Sequence, residues 1–168
     1  VGAAGGPGPG EPFGVYWPAL IDSQLVPMDV VVNGTHTVVE STGVMSPVTV
    51  KTPEVPIPEV PAGPTKERPL GVVFGARSGD KGPNANLGIF ARSPQAYAWL
   101  EAFLSVEKLQ ELMPEARGRR IDRYKLPNIL SLNFIFHGLL EEGVAASTRQ
   151  DPQAKALGEY LRAKVVSI

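Results

Sequence analysis

Proline is spread so unevenly along this chain that it divides it before any other signal does. Of the 17 prolines, 12 lie in residues 1–69. Proline fixes φ and removes a backbone donor, so a stretch with one every few residues cannot form a helix interior or a central strand. A packed core is therefore expected in residues 70–168. There the five remaining prolines, at 83, 94, 114, 127 and 152, fall between apolar runs. The first dozen residues, rich in Gly, Ala and Pro, read as a lead-in that cannot pack. Residues 51–69, with "TPEVPIPEVPAGPTKERP", read as an extended, polyproline-like linker. A spacer lying along a surface is the favoured reading there, ahead of a ligand for a proline-reading groove.

Residues 1–50 form an N-terminal arm. It holds an apolar cluster around Tyr16, Trp17 and Leu20, then "MDVVVNGTHTVVES". Asn33-Gly34 between two β-branched runs predicts a hairpin, because a type I′ turn needs positive φ at both central residues. The strands are placed at 29–32 and 35–40, with His36 solvated beside the turn.

From residue 70 the pattern turns conventional. Strands are expected at 70–77 and 86–92. Ser93-Pro94 opens a helix with Ala96, Trp99, Leu100, Phe103 and Leu104 inward, and Ser105 caps a second that Pro114 ends. Ile121, Tyr124 and Leu126 are the apolar members of a strand in "RRIDRYKLP", after a solvated "RGRR" turn. "NILSLNFIFHGLLEEG" reads as a buried helix from a capping Asn128 to Gly143, with His137 as a hydrogen-bonded core residue. A strand over "LSLNFIF" is its rival. A strand at 144–149 follows, and then a helix from Asp151-Pro152 with Ala156, Leu157, Tyr160 and Leu161 inward. This order predicts an α+β domain with helices on one face of a sheet.

Several function classes are excluded. No apolar run reaches about 18 residues, so no transmembrane helix is expected. The N-terminus lacks the basic-then-apolar pattern of a secretory signal, and a cytoplasmic location is the default. With no cysteine there is no thiolate metal site or cysteine nucleophile, and two histidines 101 positions apart predict no metal site. No cofactor fingerprint is present. The net charge of −1 hides an asymmetry, −5 over residues 1–65 and +4 over the rest. That suits an anionic small molecule better than a nucleic acid.

The candidate site is "GARSGDKGPNANLGIF", residues 75–90. Lys81 is followed by Gly-Pro and then a strand, so this is no P-loop, and the dinucleotide Gly-x-Gly-x-x-Gly is missing. Read as a loop, it gathers two cations, Arg77 and Lys81, with Asp80, Ser78, Asn84 and Asn86. Gly79 and Gly82 would let backbone amides form an anion nest. Arg77 would grip a carboxylate or phosphate as a fork, Lys81 as a point charge, and Asp80 would orient them. The rival is a plain turn in which Asp and Asn cap amides. Asn133 and Arg149 are second-tier candidates. Ser78 lacks a nucleophile elbow, and no poised nucleophile and base are visible, which leaves catalysis unassigned.

"ARSGDKGPNANLGIFAR" and "YKLPNILSLNFIFHGLLEEGVAASTRQDPQAKALGEYL" resemble the small C-terminal domain of the acyclic terpene utilisation A (AtuA) family. Arg77–Gly82 matches its Arg-Ser-Gly-Asp-Lys-Gly, Asn86-Leu87-Gly88 its Asn-x-Gly, and Leu126-Pro127-Asn128 its Leu-Pro-Asn. The resemblance covers about 70–163 and implies a ferredoxin-like fold. It also implies a role in catabolism of citronellol- and geraniol-type terpenoids through acyl-CoA intermediates. Family members carry a large domain ahead of this one, so residues 12–50 are expected to be a remnant of it or an independent arm. The rival to ligand binding is a non-catalytic assembly module, in which Arg77–Gly82 forms salt bridges across a subunit interface and the apolar segment, hairpin and proline arm wrap a partner. The partner expected is a homo-oligomer or a chain carrying that large domain.

Overall fold

The computed structural model describes residues 9, 10, 12, 14, 19–39, 49 and 54–168, in two compact units, Val1–Pro53 and Glu54–Ile168. Tyr16, Trp17, Glu40 and residues 51–53 lie outside the described residues.

In the first unit, β1 (Met28–Val32) pairs antiparallel with β2 (Thr35–Val39), Val32 facing Thr35. Asn33 and Gly34 have φ of 50° and 79°, the left-handed pair that the sequence required. His36 is solvent-exposed and bonds Asp29 across the hairpin. All ten strand residues are exposed.

The second unit is α+β and ferredoxin-like. Its four-stranded antiparallel sheet has the order β4 (Gly75–Lys81), β5 (Asn84–Phe90), β7 (Ser131–Phe136), β6 (Ile121–Leu126). A short pair, β3 (Glu67–Pro69) with β8 (Val165–Ser167), closes the domain's two ends on each other. Residues 67–69 thus belong to the fold and not to a spacer, a pairing the apolar pattern did not announce.

One sheet face is covered. Leu87, Ile89, Leu132, Phe134 and Phe136 are fully buried there with Leu100, Leu104, Leu109 and Leu161. The helices are α1 (Pro94–Phe103), α2 (Val106–Leu112) and α3 (Leu157–Arg162). Ser93 and Ser105 cap the first two as expected, accepting from Ala96 N (3.2 Å) and Lys108 N (3.1 Å). Arg123, in β6, turns to this covered side. It donates to the carbonyls of Leu104 (3.0 Å) and Glu101 (2.6 Å), tying α1 to the sheet, while Tyr124 and Leu126 face outward and are exposed. Lys125 and Arg123 flank Glu101 and hold its carboxyl below the usual carboxylate range, the Lys125 hydrogen bond first. No helix among the described residues is long and apolar enough to cross a membrane.

Four expectations are corrected. Residues 70–72 form a 3-10 turn, anchored by the buried Leu70, and the strand runs 75–81, so the polar run is itself a strand. Only Gly82 and Pro83 make the turn; Gly82 has φ of 61° and a proline cannot follow it with positive φ, the pattern of a type II′ hairpin. Residues 128–143 are not a helix: the rival strand is β7, preceded by a 3-10 turn in which Asn128 is exposed. Its run is apolar because β7 is central, paired on both sides. Residues 144–149 form turns rather than a strand. The preceding turn packs on the β4–β5 turn through Leu140 N–H to Pro83 O (2.9 Å). The last helix begins at Leu157, not Asp151. Asp151 instead accepts from the amides of Lys155 and Ala156, both at 2.8 Å, and the later start rotates Ala156 and Tyr160 outward.

Candidate functional site

The strand geometry sorts the hexapeptide Arg77–Gly82 by parity. In a strand alternate side chains leave opposite faces, so Arg77, Gly79 and Lys81 lie on the face that carries no helix. Ser78 and Asp80 lie on the covered side. The stretch does not fold back on itself. Arg77 and Lys81 instead flank Gly79, each about 7 Å along the strand from it.

Registration across the sheet completes this open face. Arg77, Gly88, Asn133 and Tyr124 stand in one row, and Gly79, Asn86, Ile135 and Asp122 in the next. Asn86 Nδ2 donates to Asn133 Oδ1 at 3.2 Å, so these two candidates meet. The glycines leave room. A methyl on Gly79 would meet only Asn86 Oδ1 and Lys155 Nζ, both at 3.9 Å, and one on Gly88 would meet Arg77 O at 3.6 Å and Asn133 Oδ1 at 3.8 Å. The result is a depression of about 380 Å³ lined by Arg77, Gly79, Lys81, Asn86, Gly88 and Lys155, with Ser78 and Asp80 completing its wall.

Lys155 was not foreseen. Nothing in "QAKA" marks it, and it arrives through Ser78. That serine is buried, donates to Lys155 O (3.2 Å) and accepts from Gly158 N (2.9 Å), bolting the 155–158 segment beside β4. Among the described residues none of Arg77, Lys81 and Lys155 forms an ion pair, nor does Asp80. Three cations thus share one pocket with one carboxylate. Such a site favours an anion, most strongly at low ionic strength.

The remaining candidates separate from this centre. Asn84 Oδ1 accepts from Gly138 N (2.9 Å), fixing the turn that follows β7. Gly82 is the hairpin turn. Arg149 does not line the depression, and its Nε is buried without a hydrogen-bond partner among the described residues. His137 is no core helix residue but follows β7 directly, a third exposed, with Nε2 2.7 Å from Asp122 Oδ2. That hydrogen bond, and then Arg120, hold the Asp122 carboxyl below its ordinary range. A second depression, about 250 Å³ and apolar, lies between Pro61–Thr65 and the Phe74–Trp99 stack, whose ring centroids are 5.6 Å apart. None of its lining side chains is ionisable.

The model of the AtuA ferredoxin-like domain family matches residues 69–167, the span from β3 to β8. The chain belongs to that family. No curated protein and no solved structure matches it. The AtuA-like domain therefore coincides with the sheet, its helices and the closing β3–β8 pair, and the open-face pocket lies wholly inside it.

Proposed function

We propose that this AtuA-like domain is an accessory, ligand-binding domain, cytoplasmic, serving acyclic terpenoid catabolism. Its open sheet face binds the anionic group, phosphate or carboxylate, of an acyl-CoA-like metabolite. Arg77, Lys81 and Lys155 supply the charge, Asn86 a hydrogen bond, and Gly79 and Gly88 the clearance for close approach. Ser78 acts from behind, as the bolt that brings Lys155 to the pocket. The observation that carries this reading is the convergence on a glycine floor of three cations that form no ion pair among the described residues. Binding is tested by calorimetric titration with isovaleryl-CoA, coenzyme A and isovalerate. Arg77→Ala should weaken binding by about tenfold or more, the worth of one hydrogen bond to a charged group, while leaving the melting temperature unchanged. Absence of binding by the unaltered protein refutes the reading.

A second reading rests on the hairpin of the first unit, which exposes Met28, Val30, Val31, Val32, Val38 and Val39. An isolated two-stranded hairpin is marginal in water, and this one is suited to assembly with another copy or with a chain carrying the large AtuA domain. Light scattering with and without residues 1–50 tests it; an unchanged mass refutes self-assembly through the hairpin.

A further inference from the structure

The open face carries a second chemical feature beyond the anion pocket. β7 places Asn133 and Ile135 on that face, and β6 places Asp122 opposite Ile135. His137 follows β7 directly, its N–H donating to Arg120 O at 3.0 Å, so the alternation carries its side chain to the same face. The contact of His137 Nε2 with Asp122 Oδ2 at 2.7 Å confirms that both side chains stand on the same side. Asp122 also accepts from Arg120 Nε and Nη2, at 3.2 and 3.3 Å. A carboxylate so engaged is an acceptor only, so Nε2 carries the shared proton, and the tautomer that fits this bond keeps the ring's lone pair on Nδ1. Nδ1 has no hydrogen-bond partner among the described residues, and the side chain is 32% exposed.

We propose that His137 is a proton-transfer group acting on the ligand of the anion pocket, with Asp122 as its positioning residue. This rests on the anion-binding reading above. Extending the ladder one step past Ala85–Phe136 sets Lys81, Asn84 and His137 in one row, two strand spacings or about 10 Å from end to end. An acyl thioester whose anionic group sits among Arg77, Lys81 and Lys155 can lay its acyl carbons across β5 toward His137. The reaction class is reversible proton abstraction from the carbon next to the thioester carbonyl. Nδ1 takes the proton, and the C–H electron pair becomes the enolate. Return of the proton regenerates the substrate, so no oxidant or co-reactant is required.

The test is deuterium exchange. The full chain is incubated with isovaleryl-CoA in deuterium oxide, and label at the α-carbon is followed by mass spectrometry, with binding measured in parallel by calorimetry. The unaltered protein should incorporate deuterium. His137→Ala should bind isovaleryl-CoA equally well yet lose exchange by about a hundredfold or more, and added imidazole should restore part of it. Asp122→Asn should slow exchange and displace its pH profile, a change that a purely structural pairing would not produce. Binding without exchange in the unaltered protein, or unaltered exchange in a folded His137→Ala, overturns this proposal and leaves the anion site standing. No binding at all overturns both.

Discussion

Ser78 decides between two accounts of the hexapeptide, and its removal can be worked through in numbers. As a ligand group its hydroxyl would face the anion; in the structure it is 6% exposed and spends both its bonds on the chain. Ser78→Ala deletes the bond donated to Lys155 O and strips the acceptor from Gly158 N–H at the start of α3. A neutral hydrogen bond contributes about 1 kcal/mol and a buried donor left unpaired costs about 1–3 kcal/mol, so the loss should be about 2–4 kcal/mol. At about 4 °C per kcal/mol for a domain of this size, the melting temperature should fall by about 8–16 °C. Urea unfolding followed by circular dichroism reads the free energy directly, with the slope unchanged if only the native state is affected. Anion binding should also weaken, because Lys155 is no longer held beside Gly79. Asp151→Ala provides the control of sign. It removes a negative charge near the pocket, which by Coulomb's law alone should strengthen anion binding; by freeing the amides of Lys155 and Ala156 it should weaken it. A Ser78→Ala protein of unaltered stability that has lost its anion would refute the bolt and make Ser78 a ligand.

The neighbouring glycines separate packing from clearance. Gly75→Ala should destabilise by about 0.5–1.5 kcal/mol in urea titrations, since the exposed Phe90 ring occupies the place of the added methyl and must turn aside. Gly79→Ala meets nothing closer than 3.9 Å and should leave stability within about 1 kcal/mol while weakening isovaleryl-CoA binding in calorimetry. The Glu101 carboxyl, held low by Lys125 and Arg123, contributes stability that is complete above its ordinary value of 4.5 and is lost as pH falls through the lower folded value. Glu101→Gln should therefore flatten the acid limb of the stability–pH curve. Binding at the open face should weaken as sodium chloride is raised from about 0.05 to 0.5 M, because exposed cations are screened.

Some elements could be read from local chemistry alone. Asn33-Gly34 admits one turn geometry, and Ser93-Pro94 and Ser105 cap helices whose inward residues recur at helical spacing. The α+β class followed from them. Elsewhere local signals misled for identifiable reasons. β4 is an edge strand whose covered positions are Ala76, Ser78 and Asp80, so it lacks the apolar alternation that marks a strand, and its polarity mimics a loop. β7 errs the other way. Ile129, Leu130, Leu132, Phe134, Ile135 and Phe136 leave few polar gaps, and a central strand so apolar is hard to tell from a buried helix. Lys155 and Asp122 join their sites through contacts 77 and 15 residues apart in sequence, which no local pattern encodes.

The parity of β4 also explains how a short motif can serve fold and ligand together. A strand gives each residue one face, so Arg77, Gly79 and Lys81 stand on the open side toward a guest, while Ser78 and Asp80 reach the pocket only at its wall. The covered residue still shapes the open face, because Ser78 holds the segment that carries the third cation around the sheet's edge. Replacements at 77, 79 and 81 should therefore cost ligand affinity without much stability. Replacement at 78 should cost both. A loop reading makes no such distinction between alternate positions, so an alanine scan of Arg77 through Lys81, measured for melting and for isovaleryl-CoA affinity, tests the strand itself. Losses that ignore the alternation would mean that the residues do not present their side chains to opposite faces.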